Sequence, residues 1–155
     1  MTEFRPIVFI LGVLLAVLAA AMMLPTLADY AAGDMSDAAN FAISAAATLF
    51  IGVSAMLASR GGHIHLGIRQ IFALGVFGWT VAAAFAAIPF LMSDLHFDPA
   101  AAYFEAMAGV TTTAADSFVG LDAAPPGILL WRALLQWMGG MSAIALAIAV
   151  LTGYS

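Results

Sequence analysis

Four long apolar segments with almost no charged side chains limit what this sequence can fold into. Three of them run from Ile7 to Leu24, from about Ala39 to Ala58 and from Ile71 to Met92 without a charge. The fourth runs from about Gly127 to Thr152 and carries only Arg132. Each approaches the roughly 20 residues that a helix needs to cross the hydrocarbon core, where backbone groups must be satisfied within the segment. The sequence therefore predicts an all-α integral membrane protein with four transmembrane helices.

The composition agrees with this class and excludes several functions. Hydrophobic residues make up 65% of the chain and charged residues 8%, whereas soluble domains average about 45–50% and about 25%. With four basic residues and a net charge of −5, the chain cannot neutralise a run of phosphates, so we expect no nucleic-acid partner. The absence of cysteine excludes disulfides and thiolate sites. The spans also lack a paired-carboxylate motif, a zinc motif and a serine elbow, so we do not expect an enzyme.

The first segment has an alternative interpretation. A secretory signal peptide also places a basic residue, here Arg5, before an apolar region. However, the region from Ile7 to Leu24 is longer than the usual stretch of about 7–15 residues, and Glu3 lies beside the basic residue. We therefore interpret it as a membrane span that ends at Pro25.

Charged residues alternate between the connections that join the four segments. The first connection contains Asp29, Asp34 and Asp37 but no arginine. The second contains Arg60 and Arg69 but no acid, and the third again carries acids only. Because short cytoplasmic loops are enriched in basic residues, we expect the arginine-containing loop and both chain termini in the cytoplasm.

The connection from Ser93 to Pro126, 34 residues long, contains a helix signal of its own. Asp98 is a favourable N-cap, and Pro99 suits the first helical position. The sequence therefore predicts a helix over Pro99–Val110. Its twelve residues would extend about 18 Å, which is about halfway across the membrane.

A run of small residues, Thr111 to Ala115, follows this predicted helix directly. A short helix, a polar run and a return to the next span are typical of a re-entrant pore loop, whose carbonyls can replace the hydration shell of an ion. The C-terminal end of the helix would carry partial negative charge at mid-membrane and favour a cation. The alternative is an amphipathic helix on the outer surface followed by a polar loop, and the residue pattern alone leaves both open.

Five short motifs between residues 103 and 150 resemble a known family. They are Phe104-Glu105, Thr111-Thr112-Thr113, Gly120-Leu121-Asp122, Leu135-Gln136-Trp137 and Gly139-Gly140-Met141. With these motifs, the region Tyr103–Val150 closely resembles the first pore repeat of the Trk-type potassium-uptake subunits, the family of TrkH and KtrB. The first two apolar segments resemble the additional helix pair that precedes this repeat.

The resemblance implies a domain division and a set of partners. Residues 1–59 would form the leading helix pair, residues 60–70 a cytoplasmic loop, and residues 71–155 a potassium-channel-like helix–pore loop–helix unit. The family assembles four such units around one pore in the bacterial inner membrane and transports K⁺, with no covalently bound cofactor. The implied partners are K⁺, further pore repeats in the same or a separate chain, and a cytoplasmic nucleotide-binding subunit of the TrkA or KtrA type.

The resemblance also assigns residues to an ion filter and to its support. Gly139 and Gly140 would let the filter backbone or another helix approach closely, or would simply allow tight helix packing. Trp131 fits an aromatic belt at the outer interface. The implied filter is Thr111, Thr112, Thr113, Ala114 and Ala115, with K⁺ at the carbonyls of Thr112 and Thr113.

Two charged residues of this repeat are further candidates for pore support. An ionisable group at membrane depth indicates a function by default. We expect Glu105 to act as a hydrogen-bond acceptor behind the filter, with direct ion contact as the alternative. We expect Arg132 to pair with a loop acid, Asp116 or Asp122, rather than to extend to the interface.

The sequence departs from the family pattern in two respects. It contains one pore repeat, which leaves a non-conducting truncated fragment or an assembly or regulatory subunit as the alternative to a pore-forming subunit. The family filter reads Thr-Thr-Thr-Gly-Ala, but Ala114 occupies the glycine position. An L-residue costs roughly 1–2 kcal/mol where the backbone needs a positive φ. We therefore expect weakened selectivity for K⁺ over Na⁺.

Overall fold

The computed structural model describes residues 4–61, 67–113, 115 and 124–153. The described part of the chain is helical, and four of its helical stretches are long and apolar enough to cross a membrane. The prediction of an all-α protein with four candidate spans is therefore confirmed. The helices are α1 (Arg5–Ala32), α2 (Met35–Ala58), α3 (Ile68–Ala86), α4 (Ile88–Met92), α5 (Pro99–Val110) and α6 (Pro126–Gly153).

We predicted that the first span ends at Pro25, but helix α1 continues past this residue to Ala32. Proline removes one backbone donor, and transmembrane helices tolerate this where nearby Ser or Thr hydroxyls bond the backbone. The Thr26 hydroxyl donates a hydrogen bond of 2.9 Å to the Met22 carbonyl, which neighbours the Ala21 carbonyl whose helical donor Pro25 lacks. As a result, Asp29 lies on the helix rather than in the connecting loop.

The connection between α1 and α2 is only two residues long. Gly33 adopts a left-handed conformation with φ +85°, and Asp34 caps α2 by accepting a hydrogen bond of 3.1 Å from the Asp37 amide. Asp29 and Asp37 were predicted as loop acids, but both lie on helices and are almost completely buried. Two of the three acids that the sequence assigned to this connection therefore lie in the interior of the bundle.

The third apolar segment is divided between α3 and α4. The break lies at Ala87, two residues before Pro89, whose missing N–H interrupts the helical ladder. The chain nevertheless continues in the same direction as one candidate span, Ile68–Met92. It then leads through Asp98 into α5.

The core is concentrated at one end of the bundle, the hairpin end, where Asn40 bonds Met92 and Gly127 bonds Asp29. There the Asn40 amide of α2 donates a hydrogen bond of 2.7 Å to the Met92 carbonyl. The core is lined mainly by Leu15, Leu18, Met22, Phe41, Ala45, Ala83, Ala86, Phe90, Ala102, Ala106, Val110, Ile128, Trp131 and Leu135.

Trp131 lies in this core, so the prediction that it belongs to an interfacial aromatic belt is wrong. Its side chain is 0% exposed. The indole N–H donates a hydrogen bond of 3.0 Å to the Ala86 carbonyl, and Phe41 packs edge-on against the ring at 6.1 Å between centroids. An indole can occupy an apolar interior when its N–H finds an acceptor, as it does here.

Candidate functional site

Helix α5 begins and ends at the predicted residues. Asp98 caps it by accepting a hydrogen bond of 2.8 Å from the Ala101 amide, and Pro99 occupies the first position. Alanines at 102 and 106 are completely buried on the core side. Because these side chains are small, α3 and α6 pack closely around a helix of only twelve residues.

The threonine run ends α5 in a specific turn. The Thr112 amide donates to the Gly109 carbonyl and the Thr113 amide to the Ala108 carbonyl, both at 2.9 Å. This pair of bonds is a Schellman motif, in which the residue after the C-cap is left-handed and usually glycine. Here that residue is Thr112, with φ +57°.

A β-branched residue in this conformation is a backbone outlier. The left-handed conformation costs an L-residue roughly 1–2 kcal/mol, and such outliers cluster at functional sites. The Thr111 hydroxyl supports the turn, since it donates to the Met107 carbonyl at 2.7 Å and lies 2.9 Å from the Thr113 hydroxyl. The sequence predicted strain at Ala114, which lies outside the described residues, whereas the described strain is at Thr112.

The threonines face an open side of the chain. Thr111, Thr112 and Thr113 are all exposed, and Ala115 is half-buried. The polar oxygens of this run are therefore available to groups beyond the described residues. The other predicted loop positions outside the described residues are Asp116, Gly120, Leu121 and Asp122.

A buried ion pair joins α5 to α6. Glu105 is only 2% exposed, and its Oε2 lies 3.2 Å from Nε of Arg132, whose side chain is 12% exposed. The pairing of Arg132 with Asp116 or Asp122 stays a prediction, because both acids lie outside the described residues. The partner that the structure describes is Glu105, the acid of the short helix. The signal was present in the sequence, because Arg132 is the sole charge of its span and intramembrane charges usually pair with one another.

The end of α5 rests on a glycine of α6. A Cβ at Gly139 would lie only 2.7 Å from the carbonyl carbon of Val110, so a side chain is excluded there. At Gly140 a Cβ would meet nothing closer than the Thr112 Cγ2 at 3.8 Å, an ordinary contact. The expected close approach is therefore found at Gly139 and not at Gly140.

A hydrogen bond from Trp79 of α3 to Ser142 of α6 lies next to this contact. The Ser142 hydroxyl donates to the Gly139 carbonyl at 2.8 Å, and the Trp79 indole donates to the Ser142 hydroxyl at 3.1 Å. Through Ser142, Trp79 of α3 therefore holds the part of α6 at Gly139 against which α5 packs. The Glu105–Arg132 ion pair and the contact between Val110 and Gly139 therefore hold α5 against α6 at two positions.

Comparison with known proteins places this arrangement in a family. Residues 37–154 match the family model described as TrkH, cation transport protein. The chain is 36% identical over 150 residues to the Trk system potassium uptake protein TrkH of Vibrio parahaemolyticus, covering 96% of this chain and 31% of that protein. It is 37% identical over 150 residues to the protein of the same name from Salmonella typhimurium, with the same coverage.

The fold is also similar to a solved structure. The crystal structure of the potassium transporter TrkH from Vibrio parahaemolyticus superposes with a TM-score of 0.91 at 35% identity, covering 97% of this chain and 32% of the other. The chain thus spans about a third of the length of the relatives that it matches. Since the family model matches most of its residues, this integral membrane chain belongs to the TrkH family of cation transport proteins.

Proposed function

We propose that this chain contributes one pore repeat to a K⁺-uptake protein of the bacterial inner membrane. One observation carries the proposal: α5 is too short to span, ends in an exposed threonine run, and has its last residue seated on Gly139 of α6. In this proposal α5 is a re-entrant pore helix and residues 111–115 are its filter. Residues 1–59 are the leading helix pair, residues 60–70 a cytoplasmic loop and residues 71–155 the pore repeat.

The electrostatics of α5 suit a cation at its C-terminal end. The helix dipole leaves partial negative charge at the threonine run. The buried carboxylate of Glu105 is compensated by Arg132 at 3.2 Å and does not need an ion to neutralise it. We therefore assign ion contact to the carbonyls of Thr112 and Thr113. Glu105 and Arg132 instead hold the pore helix in position.

A single filter cannot surround an ion. Cation selectivity depends on how many carbonyl dipoles coordinate the ion and on their field. The exposed threonines support a pore completed by further repeats, in the same or a separate chain. The transported ion is K⁺, and no resident cofactor takes part. With both termini in the cytoplasm, a nucleotide-binding subunit of the TrkA or KtrA type would dock on that side.

The test is complementation of a divided transporter. The chain is expressed in cells that lack K⁺ uptake, together with the part of a TrkH relative that this chain does not cover. We expect growth at low K⁺ and measurable Rb⁺ uptake from the pair, and neither from this chain alone. The corresponding third of the relative itself is the positive control. The proposal is wrong if that control restores uptake while this chain, present in the membrane at the same level, does not.

The filter assignment is tested in the same assembly by Ala114→Gly. Glycine at this position should raise the ratio of K⁺ to Na⁺ uptake, because it restores the residue that the family filter uses. Ala143→Gly makes the same chemical change on an exposed face of α6 and should leave the ratio unchanged. An unchanged ratio for Ala114→Gly, with flux still measurable, would exclude residue 114 from the filter.

A further inference from the structure

A buried carboxylate of α1 caps the first turn of α6. Asp29 is 0% exposed, and its Oδ1 accepts a hydrogen bond of 2.6 Å from the amide of Gly127. The match to the family model starts at residue 37, so Asp29 belongs to a part of the leading helix pair that this match does not include.

The position of Asp29 is unfavourable within its own helix. It lies in the last turn of α1, where the helix dipole disfavours a negative charge. Burial of an ionised carboxylate away from water is costly unless hydrogen bonds compensate it. Among the described residues, Oδ2 has no hydrogen-bond partner. The compensation for Asp29 therefore comes from α6, whose N-terminal end carries partial positive charge.

Among the described residues, no side chain directly before α6 caps its first turn. Its first residue, Pro126, has no N–H, so the Gly127 amide is the first backbone donor of the helix. The two residues before the helix, Ala124 and Pro125, have no side-chain acceptor. The carboxylate of Asp29 supplies what Ser, Thr, Asp or Asn supplies at an ordinary N-cap.

The glycine at this contact is also required for space. A Cβ at Gly127 would lie 2.5 Å from Cγ of Asp29. Any larger residue would displace the carboxylate or shift the start of α6. Both sides of the contact therefore fit one arrangement, a remote N-cap joining α1 to α6.

We propose that Asp29 is a positioning residue that sets where α6 starts and, through it, the place of Arg132. Trp131 lies one helical turn beyond Gly127 and bonds the Ala86 carbonyl. Arg132 follows and pairs with Glu105 of α5. Through this cap, the leading helix pair positions α6, against which α5 packs. Only its consequence for ion transport rests on the proposed function.

The cap is tested by hydrogen–deuterium exchange on the full chain in detergent micelles. In Asp29→Ala, amide exchange over residues 127–131 should rise by about five- to tenfold, the factor expected for loss of an N-cap. Asp29→Asn keeps the Oδ1 acceptor and should stay within about twofold of the parent. Asp37→Ala is the matched control, since Asp37 is equally buried (1% exposed) but its carboxylate accepts from Asn40 on its own helix.

A second variant tests the contact from the other side. Gly127→Ala places a methyl group against the carboxylate, and Asp29→Ala removes that carboxylate. The double variant should therefore exchange no faster over residues 127–131 than Asp29→Ala alone. The proposal would be overturned if the effects of the two substitutions on amide exchange multiply in the double variant. It would also be overturned if exchange does not rise in Asp29→Ala, or if it rises equally across all helices.

Transport by the complemented assembly separates this proposal from the proposed function. If the cap positions the pore helix, Asp29→Ala should lower the ratio of K⁺ to Na⁺ uptake, and Asp29→Asn should restore it. An assembly that carries no ions while the exchange results hold would contradict the proposed function and still support the cap. Normal selectivity in Asp29→Ala, together with raised exchange, would overturn the positioning role.

Discussion

The two halves of α6 are similarly apolar but have different surroundings. In the first half, Ile128, Trp131 and Leu135 are at most 1% exposed. In the second half, Met141, Ile144, Ile148 and Leu151 are 52–72% exposed. Hydrophobicity therefore does not decide which half this chain buries.

The polar groups of the two halves account for the difference. The first half carries an indole N–H, a guanidinium and the first backbone amide of the helix, each of which has a partner on another helix. The aliphatic residues of the second half need no partner and can face lipid or further helices. The first half is thus fixed by the chain itself, and changes there should be far more costly than changes in the second half.

The largest difference is expected between two tryptophans. Trp131→Ala should lower the free energy of unfolding by about 4 kcal/mol, because it removes a buried ring and leaves the Ala86 carbonyl without its donor. Trp137→Ala should cost less than about 0.5 kcal/mol, since that ring is 63% exposed. Reversible unfolding in mixed micelles measures both. Because both tryptophans lie in the first half of α6, equal losses would mean that contacts within this chain do not decide which of its side chains are buried.

Removing one member of the ion pair should have the next largest effect. Arg132→Met removes the guanidinium that lies 3.2 Å from the buried carboxylate of Glu105, and we expect a loss of about 3 kcal/mol. The double variant Glu105→Gln/Arg132→Met removes both charges and should recover most of that loss, as measured in a double-mutant cycle. Additive losses would show that the two charges do not stabilise the contact between α5 and α6.

Local signals in the sequence were enough to define α5. Asp98 and Pro99 mark its start and the threonine run marks its end, and all of these act within a few residues. Pro25 was a misleading local signal, because a transmembrane helix can continue past a proline, as α1 does. The continuation then carries Asp29 to a partner 98 residues away, which no local pattern indicates.

The residues of the candidate site could be predicted from the sequence, but most of the contacts between them could not. Glu105 and Arg132 were both recognised as intramembrane charges, but their contact was not predicted because sequence spacing does not show which helices meet. Trp131 was misassigned because periodicity separates apolar from polar faces and cannot separate lipid from protein. The close approach at Gly139 was expected, but only the packing of α5 distinguishes it from Gly140.

The adjacent glycines at the boundary between the two halves give a smaller difference. Gly139→Ala forces a methyl group onto the Val110 backbone and should cost about 2 kcal/mol. Gly140→Ala finds room and should be neutral or stabilising by up to about 1 kcal/mol, because alanine favours helix over glycine. Unfolding in mixed micelles again measures both. If the two variants are equally destabilised, α5 does not rest on Gly139 alone.

The smallest effect is expected at the turn that α5 presents to this boundary. Thr112 holds φ +57°, and glycine adopts this conformation without the steric cost that an L-residue bears. Part of the gain is lost to the larger backbone entropy of glycine in the unfolded chain, so Thr112→Gly should stabilise the fold by roughly 0.5–1 kcal/mol. Thr111→Gly is the matched control. Its φ of −89° gives glycine no advantage, and the change removes the hydroxyl bond to the Met107 carbonyl, so it should destabilise. A loss of stability in Thr112→Gly would mean that its side chain contributes more than its backbone strain costs. In that case the strained turn would be stabilised by contacts of the Thr112 side chain rather than by the packing of α5 against α6.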